Sequence, residues 1–231
     1  MESRFSHVAI DALFPRFCVS CGSEGALMCT HCLDHWTPVP PQVSCAFCGR
    51  GNSPRTRFEC LDDVYLDGLS YFVPYRNALF RELMTSWKYH SDRSVEPIFE
   101  KSLRRAVSRM EPPLRAYVVT HVPLHASRER SRGFDQAGVI AHWAGDLFGL
   151  PVETFVKRRK KTAPQARVGH DQRRVGEMDH VFSLLPGVLV PEHVLLCDDV
   201  FTSGTTMDAV ARLLKENGAK TVWGFTLAKG R

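Results

Sequence analysis

VLLCDDVFTSGTT, residues 194–206, governs how the rest of this 231-residue sequence reads. The run from Val194 to Cys197 has the apolar composition of a strand buried on both faces. Two acids, Asp198 and Asp199, follow at its carboxyl end, and a Thr/Ser/Gly loop comes next. MDAVARLLKENG (207–218) then spaces its apolar residues as a helix, with Gly218 at the C-terminal cap. In parallel α/β sheets, ligands bind at the carboxyl ends of strands. Backbone N–H groups of Thr202, Ser203, Gly204, Thr205 and Thr206, with the helix N-terminus, form an anion cradle. Gly204 lets the backbone approach that anion closely. The loop has no lysine, and neither G-x4-G-K-[ST] nor G-x-G-x-x-G occurs in it. Two carboxylates beside a phosphate cradle suit a ligand with vicinal hydroxyls and a phosphate, a ribose 5-phosphate. A capped strand–helix turn accounts for the hydroxyl residues but not for two acids at the end of a buried strand.

Outward from this stretch, strands and helices alternate. TVWGFTLA (221–228) reads as a final strand and AYVVTHVPL (116–124) as an earlier one; QAGVIAHWAGDLFG (136–149) is a helix stopped at Gly149, and PVETFV (151–156) is a short strand. Further towards the N-terminus, LDGLSYFVPY (66–75) is strand-like, with helices expected over about 77–89 and 95–110, the second closed by Pro112 and Pro113. This order predicts a doubly wound parallel α/β domain. WKYHSD (87–92), with Lys88, Tyr89 and His90, is a polar-aromatic stretch that either lines the site or ends a helix, the helix end being the favoured reading. KRRKKTAPQARVGHDQRRVGEMDH (157–180) is too long and too charged for an ordinary connection, which suits a lid or binding loop.

Seven of the eight cysteines lie in the first 60 residues, largely as C-x2-C pairs. Cys18, Cys21, Cys29 and Cys32 supply two knuckles, a complete tetrahedral set for structural zinc. Cys45, Cys48 and Cys60 make a second set with its fourth place open. Either Asp63, or nearby Asp62, completes it with a carboxylate, or the half-site is metal-free. A site closed by four thiolates has no position for a catalytic water, so such a ribbon holds a small lobe together. Cys197, within the buried strand, reads as a small hydrophobe. Residues 1–17 suggest an amphipathic helix, and PVPPQ (38–42) separates the two halves of the cysteine module. The boundary between modules is expected at residues 65/66, giving units 1–65 and 66–231.

The stretch 194–206 resembles the PRPP-binding motif of type I phosphoribosyltransferases: four apolar residues, two acids and a T-[TS]-G-x-T loop. The wider chain is similar to the ComF family, which joins a zinc ribbon to such a domain. VPLHASRERSRGFDQA (122–137) is similar to the family's VPL…R…RGFNQA segment, and KRRKKTAPQ (157–165) to its basic R-x-[RK]-x-T-x-x-Q stretch. The resemblance implies PRPP with Mg2+ as ligand. Asp198 and Asp199 would hold the ribose hydroxyls, directly or through Mg2+, and residues 202–206 the 5-phosphate. The loop carrying Arg128, Arg130 and Arg132 would take the pyrophosphate. Residues 157–178 would form a hood, with Lys161 favoured among its cations for catalysis. Family membership also implies a role in natural competence, assisting incoming single-stranded DNA. An active phosphoribosyltransferase acting on a nitrogenous base and a PRPP-sensing regulator are the other readings. Asp135 and Glu177, where the family has Asn, place negative charge near a polyanion site.

The composition, 44% hydrophobic and 24% charged with a net +5, is that of a globular protein. No apolar run approaches the ~20 residues of a membrane span, and the charged N-terminal stretch lacks the form of a secretory signal, so a cytoplasmic location without membrane insertion is expected. The positive charge is concentrated: residues 100–175 hold 16 Lys/Arg against 7 Asp/Glu. Such a surplus serves PRPP alone or extends into a single-strand groove, where Phe134 and Phe155 are candidate stacking residues and Trp143 fits a core helix face.

Overall fold

The computed structural model describes residues 15–36, 44–62, 64–107, 116–159 and 181–230. The expected N-terminal helix falls almost wholly outside them, as do the linker 38–42, Asp63, Lys161, Glu177 and most of the charged segment 157–180. In chain order the strands are β1 (Gly68–Pro74), β2 (Val118–His121), β3 (Val156–Arg158), β4 (Phe182–Leu184), β5 (His193–Phe201) and β6 (Thr221–Lys229). The helices are α1 (Thr30–His35), α2 (Phe58–Leu61), α3 (Ala78–Tyr89), α4 (Glu96–Val107), α5 (Ala126–Arg132), α6 (Gln136–Phe148) and α7 (Thr205–Glu216).

Four strands form one sheet in the order β1-β6-β5-β2, and every pairing in it is parallel. Both faces are covered, which is why β5 reads as an unbroken apolar run. Leu195 and Cys197 point to one face, with Trp223 and Phe225 of β6, Phe80 and Trp87 of α3, Phe99 of α4 and Ile140 of α6. Val194 and Leu196 point to the other, with Val210, Ala211 and Leu214 of α7. Each large side chain fully buried here contributes about 1.5–3 kcal/mol. Trp223 lies flat on Gly68, where a Cβ would come within 2.4 Å of its ring, and its indole N–H donates to Ser70 Oγ at 3.0 Å.

The two cysteine segments dock on opposite faces. Met28, Leu33 and Trp36 join the first cluster, Trp36 standing edge-on to Phe72 at 5.8 Å. Arg105 of α4 donates to Leu33 O at 2.9 Å and to Asp34 at 2.6 Å. Ala46 joins the second cluster. The chain beyond Cys60 is tied in by Asp208 of α7, whose carboxylate accepts the N–H groups of Tyr65 at 2.7 Å and Leu66 at 3.0 Å.

The architecture is the expected parallel α/β sheet of phosphoribosyltransferase type, with one local difference. The strand expected over 151–156 is split: Val152 only bridges to Val119, while β3 starts at Val156 and pairs antiparallel with β4. Burial of Phe155 and Val156 anchors this ribbon, so Lys157 and Arg158 extend a strand rather than begin a loop. No helix among the described residues is long and apolar enough to cross a membrane.

Candidate functional site

β5 delivers Asp198 and Asp199 to the carboxyl edge of the sheet, still within its pairing to β6. Asp198 Oδ1 accepts the Asp199 N–H at 2.8 Å. Across from them, Lys88 Nζ lies 2.7 Å from Asp199 Oδ2, with only 20% and 18% of the two side chains exposed. Lys88 lies in the last turn of α3, and its neighbour Trp87 fixes that end by stacking on Trp143 at 5.8 Å and donating to Glu96 at 3.3 Å. The helix end foreseen for WKYHSD is therefore also a wall of the site. The stretch thus takes both of its readings, and which of its side chains faces the acids is decided by the tertiary fold.

Burial, and then the adjacent Asp199 carboxylate, push the Asp198 carboxyl up to about 8, against the pull of Lys88. A cation binding between the two acids needs both ionised, so it must displace this proton. Affinity for Mg2+ together with a ribose phosphate should therefore rise with pH by up to about tenfold per unit below 8, and level off above it. Calorimetry at pH 6.5, 7.5 and 8.5 in buffers of different ionisation enthalpy would show the proton release. A pH-independent affinity would contradict it.

After Phe201 the loop turns sharply. Gly204 has φ +81° and stands at the N-cap of α7. Its missing side chain matters for a second reason: a Cβ there would meet the Phe201 ring at 2.5 Å and the Phe47 ring at 2.9 Å. The expected reason for glycine was approach to the anion; the structure adds two aromatic rings directly behind it. Ser203 Oγ and Thr205 Oγ1 are 3.0 Å apart, and Thr202 is exposed at the loop's start. Thr205 and Thr206 open α7.

At the carboxyl end of β2, the segment 122–132 runs beside this loop's strand, with Val122 N donating to Cys197 O at 2.9 Å. Arg132 donates to Gln136 at 3.1 Å and Arg130 is exposed; Arg128 belongs to α5. Asp135 is used structurally: one carboxylate oxygen caps α6 through Ala137 N at 3.0 Å, and the other accepts Leu124 N at 3.1 Å. It holds the β2 loop in shape while its charge still adds to the rise at Asp198. Burial lowers the basicity of His121, opposed by Asp135, and His125 Nδ1 lies 2.9 Å from Ser127 Oγ.

Sulfurs of Cys18, Cys21, Cys29 and Cys32 lie within 4.8 Å of one another, as do those of Cys45, Cys48 and Cys60. Tetrahedral Zn–S bonds of ~2.3 Å place sulfurs ~3.8 Å apart, and Cys21 Sγ to Cys29 Sγ is 3.8 Å. Against its burial, backbone N–H groups of Cys29, Cys21 and Ser20 bring the Cys18 thiol down to about 6. Cys32, despite a hydrogen bond with Ser20, is pushed up to about 12 by the sulfurs of Cys21 and Cys29. Four thiolates thus fit together only around a cation, and the set suits zinc. In the second set, burial and then Cys48 push Cys60 up to about 12. Asp62 is exposed and is not among the clustered groups; Asp63 lies outside the described residues. Cys197 is fully buried, with its thiol pushed up by that burial and by Asp198.

Of the stacking candidates, Phe155 and Trp143 are core residues, and Phe134 packs on Trp87 at 5.8 Å beneath the Arg93 guanidinium at 5.3 Å. None of the three is presented for a base. On the ribbon, Arg159 donates to Ser183 at 2.8 Å and Arg158 lies over Phe182 at 5.3 Å.

The phosphoribosyl transferase domain family matches residues 144–231, which include the acids, the loop and α7. Competence protein ComFC of Streptococcus pneumoniae is 26% identical over 153 residues, 66% of this chain and 64% of that protein. Competence protein F of Haemophilus influenzae is 25% identical over 220 residues, 93% of this chain and 86% of that protein. The chain is thus similar to ComF-type competence proteins over most of its length. With ComFC the similarity spans just under two thirds of the relative's length. Among solved structures, the allosteric regulatory enzyme of purine biosynthesis is similar over 55% of this chain and 25% of its own, at a TM-score of 0.38 and 23% identity. The chain thus combines two cysteine clusters able to hold a metal with a phosphoribosyltransferase-type domain.

Proposed function

We propose that this chain is a ComF-type protein that binds PRPP with Mg2+ and assists single-stranded DNA handling in natural competence. The observation that carries the ligand is the pair Asp198–Asp199 at the sheet's carboxyl edge, beside the glycine-turned loop into α7. The acids would hold the ribose hydroxyls or the Mg2+, and the site already places one cation, Lys88, against them at 2.7 Å. Mg2+, when bound, supplies positive charge against the pyrophosphate. Residues 202–206 would take the 5-phosphate through backbone N–H groups and hydroxyls. The segment 122–132, bearing Arg128 and Arg132, would take the pyrophosphate, and Lys161 would reach it from the hood. The cytoplasm is the expected location.

The competence names of the relatives support the DNA role. With Phe134, Phe155 and Trp143 all packed, single-strand affinity would come from charge, centred on Lys157, Arg158, Arg159 and Lys160. A second reading, phosphoribosyl transfer to a nitrogenous base, is favoured by the domain match.

The test is calorimetric titration of the zinc-loaded protein with PRPP and Mg2+, followed by assay of pyrophosphate release with candidate bases and of single-stranded DNA binding at two salt concentrations. Tight PRPP binding without release is expected. DNA affinity should fall with salt at a log–log slope of about −0.7 per phosphate contact and drop in an Arg158→Ala/Arg159→Ala/Lys160→Ala variant. Base-dependent release would establish the transferase instead. Absence of PRPP binding would overturn the ligand assignment.

A further inference from the structure

The knuckle Cys45–Gly49 closes like the one at Cys18–Gly22. Gly49 N donates to Cys45 O at 2.9 Å and Gly22 N to Cys18 O at 2.8 Å, both glycines having positive φ. In the second knuckle the sulfurs face one another, while the two intervening residues turn towards the sheet. Ala46 enters the core cluster that contains Phe201 and Met207. Phe47 stands edge-on to Phe201 with centroids 5.5 Å apart, and its Cε1 lies 2.9 Å from where a Cβ of Gly204 would be. Phe47 and Phe201 together therefore form the floor beneath the turn of the phosphate loop. Other contacts of the loop are local or at its ends: the Ser203–Thr205 hydroxyl contact at 3.0 Å, a 3.4 Å contact from Thr205 N to Ser203 Oγ, the Asp208 N–H donated to Gly204 O at 2.8 Å and the Gly230 N–H donated to Phe201 O at 2.7 Å.

Resting on the reading of residues 202–206 as the 5-phosphate cradle, we infer that Phe47 is a positioning residue for that cradle. Through it the Cys45/Cys48/Cys60 knuckle is energetically linked to the phosphate site. A turn made at a glycine has many backbone conformations open to it, so this one keeps a single shape only where its surroundings fix it, and here part of those surroundings is the cysteine module. Linkage is reciprocal: whatever orders the knuckle favours the phosphate ligand, and the ligand in turn tightens the knuckle. Among the described residues the first cysteine set packs into the other core cluster, on the opposite face of the sheet.

Ribose 5-phosphate and pyrophosphate serve as separate probes on the full-length, zinc-loaded protein. Phe47→Ala should weaken ribose 5-phosphate by about tenfold while leaving pyrophosphate affinity and the content of the first zinc set unchanged, and Phe47→Tyr should restore it. Independently, in the wild type, saturating ribose 5-phosphate should slow alkylation of Cys45, Cys48 and Cys60 several-fold, resolved by peptide mass spectrometry. Cys18, Cys21, Cys29 and Cys32 serve as the internal control, and the difference should vanish in Phe47→Ala. If the wild type binds no ribose 5-phosphate, the cradle reading itself fails. If it binds but Phe47→Ala binds equally, or the ligand leaves the second set's alkylation rate unchanged, the positioning role is overturned. Should Phe47→Ala fail to fold, the wild-type alkylation comparison decides alone.

Discussion

With Asn at both 198 and 199, Mg2+-dependent PRPP binding is expected to vanish while the fold survives. Asn keeps the shape of each side chain and removes its charge, so the loss is electrostatic. Truncating a charged contact in a desolvated site costs about 2–5 kcal/mol, and two such losses lower affinity by about a thousandfold or more. The stability of the ligand-free protein should move the other way for Asp198→Asn alone. The folded-state pKa of Asp198 is raised to about 8 by burial first, so the folded protein binds a proton there that the unfolded chain has already released. Stability from this group is greatest below the ordinary carboxylate range and falls as pH rises towards 8. Asp198→Asn removes that fall and should melt higher than wild type at pH 8.5, with the difference shrinking at pH 5. Asp199→Asn gains nothing of this kind, since it strips Lys88 of its partner at 2.7 Å. A variant that loses function and gains stability marks a site strained for its ligand. Unchanged PRPP titration in the double variant would remove the acids from the site altogether.

How much of this was legible beforehand follows from where each signal resides. The strand, the acids and the turn of residues 194–206 are contiguous, and their placement depends on local spacing and on a sheet buried on both faces, so that placement could be read directly. The cysteine sets were legible for the same reason, each knuckle being a short loop closed on itself. Lys88 was legible only as part of a stretch that lines the site or ends a helix; its pairing with Asp199 was not, because that place is fixed by the stacking of Trp87 on Trp143, residues from two helices separated in the sequence. Phe134 could not be assigned from its neighbours, since its partners, Trp87 and Arg93, come from another part of the chain. Asp135 is different, because its structural role has a local signal. An Asp immediately before a helix is a capping residue, and its carboxylate accepts the N–H groups of Ala137 and Gly138. Phe47 is the strongest case of a role invisible in the sequence. Its position between two cysteines reads as a filler of the knuckle, and only the fold of the sheet brings Gly204 to its ring.

Removal of metal from the first cysteine set is expected to unfold the lobe 15–36 while leaving the parallel sheet standing. The lobe is too small to hold itself: among its described residues only Cys18, Met28, Leu33, Trp36 are buried hydrophobics, and structural zinc contributes about 10–16 kcal/mol in isolated peptides of this kind. Its docking on the sheet, through Trp36 against Phe72 and Phe99 and Asp34 against Arg105 and Lys101, offsets part of that loss. Those ion pairs are exposed and add little. Chelation, or Cys29→Ser, should therefore lower the melting temperature by about 10 °C or more and expose Trp36, while Trp87, Trp143 and Trp223 stay buried. Fluorescence would then show a partial red shift, with α/β circular dichroism largely kept. The thiols of Cys18, Cys21, Cys29 and Cys32 would become reactive together, as expected of four sulfurs held by one ion rather than by the chain. A melting curve indifferent to chelator, with these thiols already reactive, would mean that packing alone holds the lobe and that the cluster carries no metal.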